Sequence, residues 1–215
     1  MSISGIETIE PGRRAGAAKA GVMTSGSQAR PVAVLIVDDG RDSSYALWAL
    51  LRWQPGIRIC ATAALSGALS AAQRERPALC LVPAALGPGG IHQIAQLADA
   101  PRVLAYTDRR DPSLEAMALV AGADGVLWRY VDGDELADTI RRVAAQRGRP
   151  MDLTQDAIGR MIECLDDRDR PMASMLLLGT SLDEIARVLG VSATAVRARR
   201  AMIVKRLEAG PRRSR

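Results

Sequence analysis

Two groups of residues in this chain have types and spacing that could do chemistry. The first sits where short apolar runs end. VAVLIV (32–37) closes on Asp38-Asp39, ALCLV (78–82) on Pro83, VLAY (103–106) on Thr107-Asp108 and GVLW (125–128) on Arg129. Carboxylates, a hydroxyl and a cation gathered at the carboxyl ends of neighbouring strands are the usual furniture of a phosphoryl or metal pocket in an open α/β sheet. The second group is a basic cluster. Between Val191 and Arg215 there are eight basic residues and one acid, Glu208, the charge distribution expected of a surface that meets phosphates. A solvated basic tail is the competing reading for Arg212, Arg213 and Arg215.

Other chemistries have little to work with. Cys60, Cys80 and Cys164 are far apart, form no CxxC pair and share the chain with a single histidine, which argues against a zinc site and for reduced, buried thiols. His92 follows Gly89-Gly90 near the expected start of a helix and reads as an exposed polar residue. No nucleophile, base and orienting group converge, so an enzyme is not expected, nor a cofactor or a metal. No apolar run reaches the roughly 18 residues of a membrane span, and the first residues have no secretory core. A cytoplasmic protein is the expectation.

The elements that would position these residues follow from periodicity. Runs 32–37, 78–82, 103–106 and 125–128 are apolar without alternation, as strands covered on both faces are. In IRICATA (57–63), Ile57, Ile59 and Ala61 alternate with Arg58, Cys60 and Thr62, as on a half-exposed edge strand. Helical stretches fall between them at about 43–53, 65–75, 90–98, 112–121 and 133–146. The first carries Leu47, Leu50 and Leu51 on one face, and the last carries Leu136, Ile140 and Val143 behind an Asp132/Glu135 capping pair. Five βα units predict a doubly wound five-stranded parallel sheet. After Gly148-Arg149-Pro150 the strands stop, and 154–164, 168–178, 182–189 and 193–208 read as helices of a small all-α domain. Gly179 ends one of them, and Gly190-Val191-Ser192 makes a tight turn with Ser192 as N-cap. The expected organisation is an unstructured arm at 1–30 (Met23 being a second candidate start), the α/β domain at 31–147, a linker at 148–153, the helical domain at 154–209 and a basic tail at 210–215.

Residues 32–147, through VLIVDD, Thr107 and AGADGVLWR, resemble a response-regulator receiver domain. That family carries an acidic pair after strand 1, a phospho-accepting Asp after strand 3, Thr or Ser after strand 4 and Lys after strand 5. Counted from Pro77, the acceptor position is Pro83, which has no nucleophile, and Val82, Ala84 and Ala85 beside it carry no carboxylate. Arg129 stands where the family has Lys, and Val126 occupies the aromatic position of strand 5. The resemblance therefore implies a pocket made of Asp38, Asp39, Pro83, Thr107 and Arg129 that has lost its phosphate chemistry. Asp38 and Asp39 alone supply few oxygens for Mg²⁺. They read either as a weak metal or ligand site or, as we favour, as an acidic pair bonded to Arg129 and Thr107.

Residues 165–207 resemble the LuxR/NarL-type DNA-binding domain. The opening L-T-x-R-E appears as Leu165-Asp166-Asp167-Arg168-Asp169. GTSLDEIARVLGVS places Gly179, Ser181, Glu184, Ile185, Ala186, Leu189 and Ser192 on the family pattern. Ala195-Val196-Arg197-Ala198-Arg199 and Lys205-Arg206-Leu207 complete it. Independently of the family, Ile185, Leu189, Val196, Ile203 and Leu207 give two helices a shared apolar face across a tight turn. Thr194, Arg197, Ala198, Ala201 and Lys205 lie opposite, the small residues allowing close approach to a groove. Arg197 can read guanine or reach a phosphate, Ser192 and Thr194 can bond phosphates, and Arg199 and Arg206 flank the face toward the DNA backbone. Arg200 falls toward the core side, where the family has an apolar residue. The implied function is a DNA-binding transcriptional regulator acting on double-stranded DNA without aspartyl phosphorylation. The family's pairing helix would follow Gly210-Pro211, where only four residues remain, so a homodimer through the receiver-like domain is expected, with the 133–146 helix as candidate. An unidentified small ligand or partner protein would act at that domain. The alternative is a protein-interaction module in which the receiver-like domain docks another regulator and DNA contact is secondary.

Overall fold

A computed structural model of the chain describes residues 30–40, 43–97, 99–108, 111–128, 132–145, 159, 162 and 165–209. Residues 1–29 of the expected arm, the 148–153 linker, nearly all of the 154–164 helix, the 210–215 tail, Cys164 and Arg129 lie outside the described residues.

Five strands, β1 (Val32–Asp38), β2 (Ile57–Ala64), β3 (Leu79–Pro83), β4 (Arg102–Thr107) and β5 (Gly125–Trp128), form one parallel sheet in the order β2-β1-β3-β4-β5. Crossing between them are α1 (Ser43–Leu51), α2 (Ala68–Glu75), α3 (Gly87–Ala95) and α4 (Pro112–Ala121), and α5 (Gly133–Ala145) follows β5. This is the doubly wound architecture that the apolar runs predict, with the alternating strand β2 at the edge. Its pairing to β1 slips between Val34 and Leu35, which leaves Cys60 as the extra residue; the Cys60 thiol donates to the Val34 carbonyl at 3.2 Å. Cys80 on β3 is buried, and desolvation pushes its thiol up to about 12, so it stays protonated and inert.

Successive residues of each central strand face opposite layers. Val34, Ile36, Leu81, Leu104 and Leu127 pack with Leu47 and Leu51 of α1 and Leu136 and Ile140 of α5. Leu35, Val37, Val82, Val103 and Val126 pack on the other side with α2, α3 and α4. The capping pair at α5 forms as expected, the Glu135 amide donating to the Asp132 carboxylate at 2.8 Å. Tyr106 ties β4 to β1 across the intervening β3 at the carboxyl end of the sheet, its hydroxyl donating to the Val37 carbonyl at 2.7 Å. Burial first, then Asp39 and Asp38, raise the phenol above its ordinary value and keep it a donor. Replacing Tyr106 by Phe should lower stability by about 1 kcal/mol, read as an earlier urea midpoint at unchanged slope.

Among the described residues, three further full helices follow: α6 (Arg170–Leu177), α7 (Leu182–Leu189) and α8 (Ala193–Glu208). Met172, Ala173, Leu176 and Leu177 of α6, Ile185 and Ala186 of α7, and Val196, Ile203 and Val204 of α8 are buried in the same apolar core as the outer faces of α3 and α4. The helical unit thus shares one continuous core with that side of the sheet unit.

Candidate nucleic-acid interface and strand-end residues

The strand ends bring Asp38, Asp39, Pro83 and Thr107 to one edge of the sheet, because β1, β3 and β4 are adjacent and parallel. One oxygen of Asp38 accepts from the Gly40 amide at 2.9 Å and from the Ser44 hydroxyl at 2.7 Å. That oxygen shapes the turn into α1, where Gly40 takes a φ of 76°. Pro83 is buried at the end of β3, beside Tyr106, and leads into a short 3₁₀ turn at Ala84–Leu86. Pro83 and the three apolar residues after it therefore put no carboxylate at the end of β3. Thr107 is buried at the end of β4, and Val126 is buried in β5. No group of three or more His, Cys, Asp or Glu among the described residues is placed to hold a metal ion.

The second candidate site lies on α7 and α8. The Ser181 hydroxyl accepts from the Glu184 amide at 3.2 Å and caps α7, while Gly190, with φ 65°, turns the chain out of it. The Ser192 hydroxyl accepts from the Ala195 amide at 3.1 Å and starts α8. The Ser192 cap is the one the sequence predicts; Ser181 enters the sequence reading only as a residue of the family pattern. On α8, Val196, Arg200, Ile203 and Val204 form the buried stripe and Leu207 is half-buried. Thr194, Arg197, Ala198, Ala201 and Lys205 are exposed, as is Ser192 at the helix start. Leu189, expected on the shared apolar face, is instead 37% exposed at the turn, and Val204, which the sequence reading passed over, is buried.

Two of the expected flanking cations are engaged within the chain. Arg199 donates to the Asp169 carboxylate at 3.0 Å and also to the Arg168 carbonyl. Arg206 pairs with Asp166 at 2.7 Å and with the second oxygen of Asp169. Asp169 is buried, so it clamps one flank of α8 onto the start of α6. Asp169→Ala should cost about 1–3 kcal/mol, because two charge-assisted bonds are lost while both arginines remain partly solvated. Chemical denaturation of Asp169→Ala beside Asp169→Asn, which should recover part of the loss, measures it.

Sequence reasoning missed what surrounds Arg200 and His92. Arg200 is only 8% exposed, and its Nε donates to the Val120 carbonyl at 2.7 Å, at the C-terminus of α4. Burial lowers its pKa to about 10, opposed by Asp124, so it remains charged at neutral pH. His92 is half-buried rather than exposed, with Nδ1 3.2 Å from the Ala121 carbonyl. Burial, then the Arg200 charge, pulls its pKa below the ordinary value, against the Ala121 carbonyl and Glu208. A cation at the carbonyl end of α4 is favoured by the helix dipole. The signal for Arg200 was present as a charge inside an apolar stripe; His92 carried none.

Fold and strand ends together define a receiver-type α/β unit with a proline at the end of its third strand, followed by helices in a helix-turn-helix arrangement. No family model matches the chain. It is 32% identical over 123 residues to the transcriptional regulatory protein UhpA of Salmonella typhimurium, covering 55% of this chain and 61% of that protein, so the match spans about three fifths of the relative's length. The signal receiver domain of the response regulator NarL from Mycobacterium tuberculosis superposes with a TM-score of 0.52 at 19% identity, over 55% of this chain and all of that domain. A LuxR-family two-component response regulator from Aurantimonas sp. superposes with a TM-score of 0.51 at 25% identity, over 62% of this chain and 96% of that one.

Proposed function

We propose that this protein is a DNA-binding transcriptional regulator that reads duplex DNA with the exposed face of α8 and is controlled independently of aspartyl phosphorylation. The observation that carries the reading is that face: a capped helix after a tight turn that presents Thr194, Arg197, Ala198, Ala201 and Lys205 to solvent together. Arg197 supplies a planar fork for a guanine edge, and the alanines leave room for the groove wall. Ser192 and Thr194, at the positive end of the helix, are placed for backbone phosphates. Arg199 and Arg206 are bound to Asp169 and Asp166, so in this arrangement their part is to fix the angle of α8. Pro83 supports the second half of the reading, since no acyl phosphate can form on a proline. The similarity to a transcriptional regulatory protein agrees with it. No helix among the described residues is long and apolar enough to cross a membrane, and a cytoplasmic setting fits DNA as the partner. Selection from random duplex DNA by the full-length protein tests the function: one enriched sequence is expected, and no enrichment would count against it.

A specific observation favours a protein partner at the receiver-like unit as well. Tyr45 and Trp53 of the α1 region are 71% and 78% exposed, and the Arg52 guanidinium lies 4.9 Å and 4.8 Å from the rings of Trp48 and Trp53. The residues just after this cluster meet α5: Gln54 donates to Asp134 at 3.0 Å, and the Pro55 carbonyl accepts from Arg141, which also pairs with Asp138. Aromatic and arginine side chains of this kind dominate interface energetics, and here they supply the apolar part of a homodimer interface on α1 and α5. Sedimentation of Trp53→Ala should show a dimer dissociation constant raised at least about tenfold. An unchanged constant would move the interface elsewhere and leave the cluster to another regulator.

A further inference from the structure

The back of the reading helix is covered by the receiver-type unit, and its reading face is not. On a helix of 3.6 residues per turn, the midline of Val196, Arg200, Ile203 and Val204 lies about 130° from that of Thr194, Arg197, Ala198, Ala201 and Lys205. The first set is buried and the second exposed. The cover comes from α3 and α4 as well as from α7. Its polar part is specific: among the five basic residues of α8, Arg200 alone is buried, and it is held by the Val120 carbonyl. The elements approach closely. A Cβ at Gly122 would meet both Ala95 and the Arg200 guanidinium, and one at Gly89 would run into the Glu208 carboxyl.

Ile203 and Val204 lose their cover, and Arg200 its carbonyl partners, if the two units part. Nothing on the reading side is released in exchange, because Thr194, Arg197, Ala198, Ala201 and Lys205 are already exposed. We infer that the protein engages duplex DNA in its docked form, with α3 and α4 seated on the back of α8 while the opposite face enters the groove. The receiver-type unit is then a structural part of the DNA-binding body and not a cover that has to leave. This rests on the reading of α8 as the DNA-binding helix.

Hydrogen exchange of the full-length protein, free and saturated with a duplex recovered from the random selection, tests it. Amides of α3, α4 and the second half of α8 should exchange at equal or slower rates in the complex. Acceleration of about tenfold or more across these segments, with DNA bound, would overturn the docked form while leaving DNA binding intact. A complete failure to bind any duplex would instead remove the reading on which the inference rests. As a second arm, Gly89→Cys with Glu208→Cys, oxidised to join α3 to α8, should bind the selected duplex within about twofold of its reduced form. Loss of about tenfold or more on oxidation, recovered on reduction, would show that the units must separate.

Discussion

Incubation with acetyl phosphate and Mg²⁺ should leave the intact mass of this protein unchanged. Aspartyl phosphorylation needs a carboxylate oxygen to attack phosphorus at the end of β3, and the residue there is Pro83, buried and followed by Ala84, Ala85 and Leu86. The acids nearest to hand do not substitute for it. Asp38 commits one oxygen to the Gly40 amide and the Ser44 hydroxyl, and Asp39 and Asp108 belong to the ends of other strands. Since an activated nucleophile in the right place accounts for most of the rate of such a transfer, the expected stoichiometry is essentially zero. Pro83→Asp alone should restore it poorly, because Val126 and Arg129 also differ from the receiver pattern. An acyl-phosphate adduct mapped to Asp38, Asp39 or Asp108 would contradict the account.

Arg197→Ala should weaken binding to the selected duplex by roughly 1–3 kcal/mol, about fivefold to more than a hundredfold, and relax preference at one base position per half-site. The side chain is exposed on the reading face and lies clear of the buried stripe, so folding stability should stay within about 0.5 kcal/mol of the parent. Lys205→Ala should act differently. A lysine that neutralises one phosphate contributes about equally to all sequences, so its loss should flatten the salt dependence by about one unit and leave specificity intact. Arg206→Ala, by contrast, should act mainly through the fold, since Arg206 is paired with Asp166 and Asp169. Equal losses of affinity and specificity in all three variants would mean that α8 is not the reading element.

Most of the architecture is legible from the residues. Unalternating runs such as Leu79–Pro83 are strands buried on both faces, and the alternation of Ile57, Ile59 and Ala61 marks the sheet edge. Ser181, Gly190 and Ser192 act where their types require, as cap, left-handed turn and cap. The docking of the two units is not legible, because periodicity shows which face of a helix is apolar but not what covers it. Arg200 is the instructive case. Its position places it on the core side, where the resembled family is apolar, and the Val120 carbonyl supplies the partner that lets a cation stay there. Arg199 and Arg206 teach the same point, since their acidic partners are some 30 to 40 residues away in sequence.

Affinity of the full-length protein for its selected duplex, measured before and after treatment with acetyl phosphate and Mg²⁺, tests the central claim most directly. The same dissociation constant is expected in both states, with Arg197→Ala weaker by the same factor in each. Binding that appears only after treatment, or that Arg197→Ala leaves untouched, would contradict it.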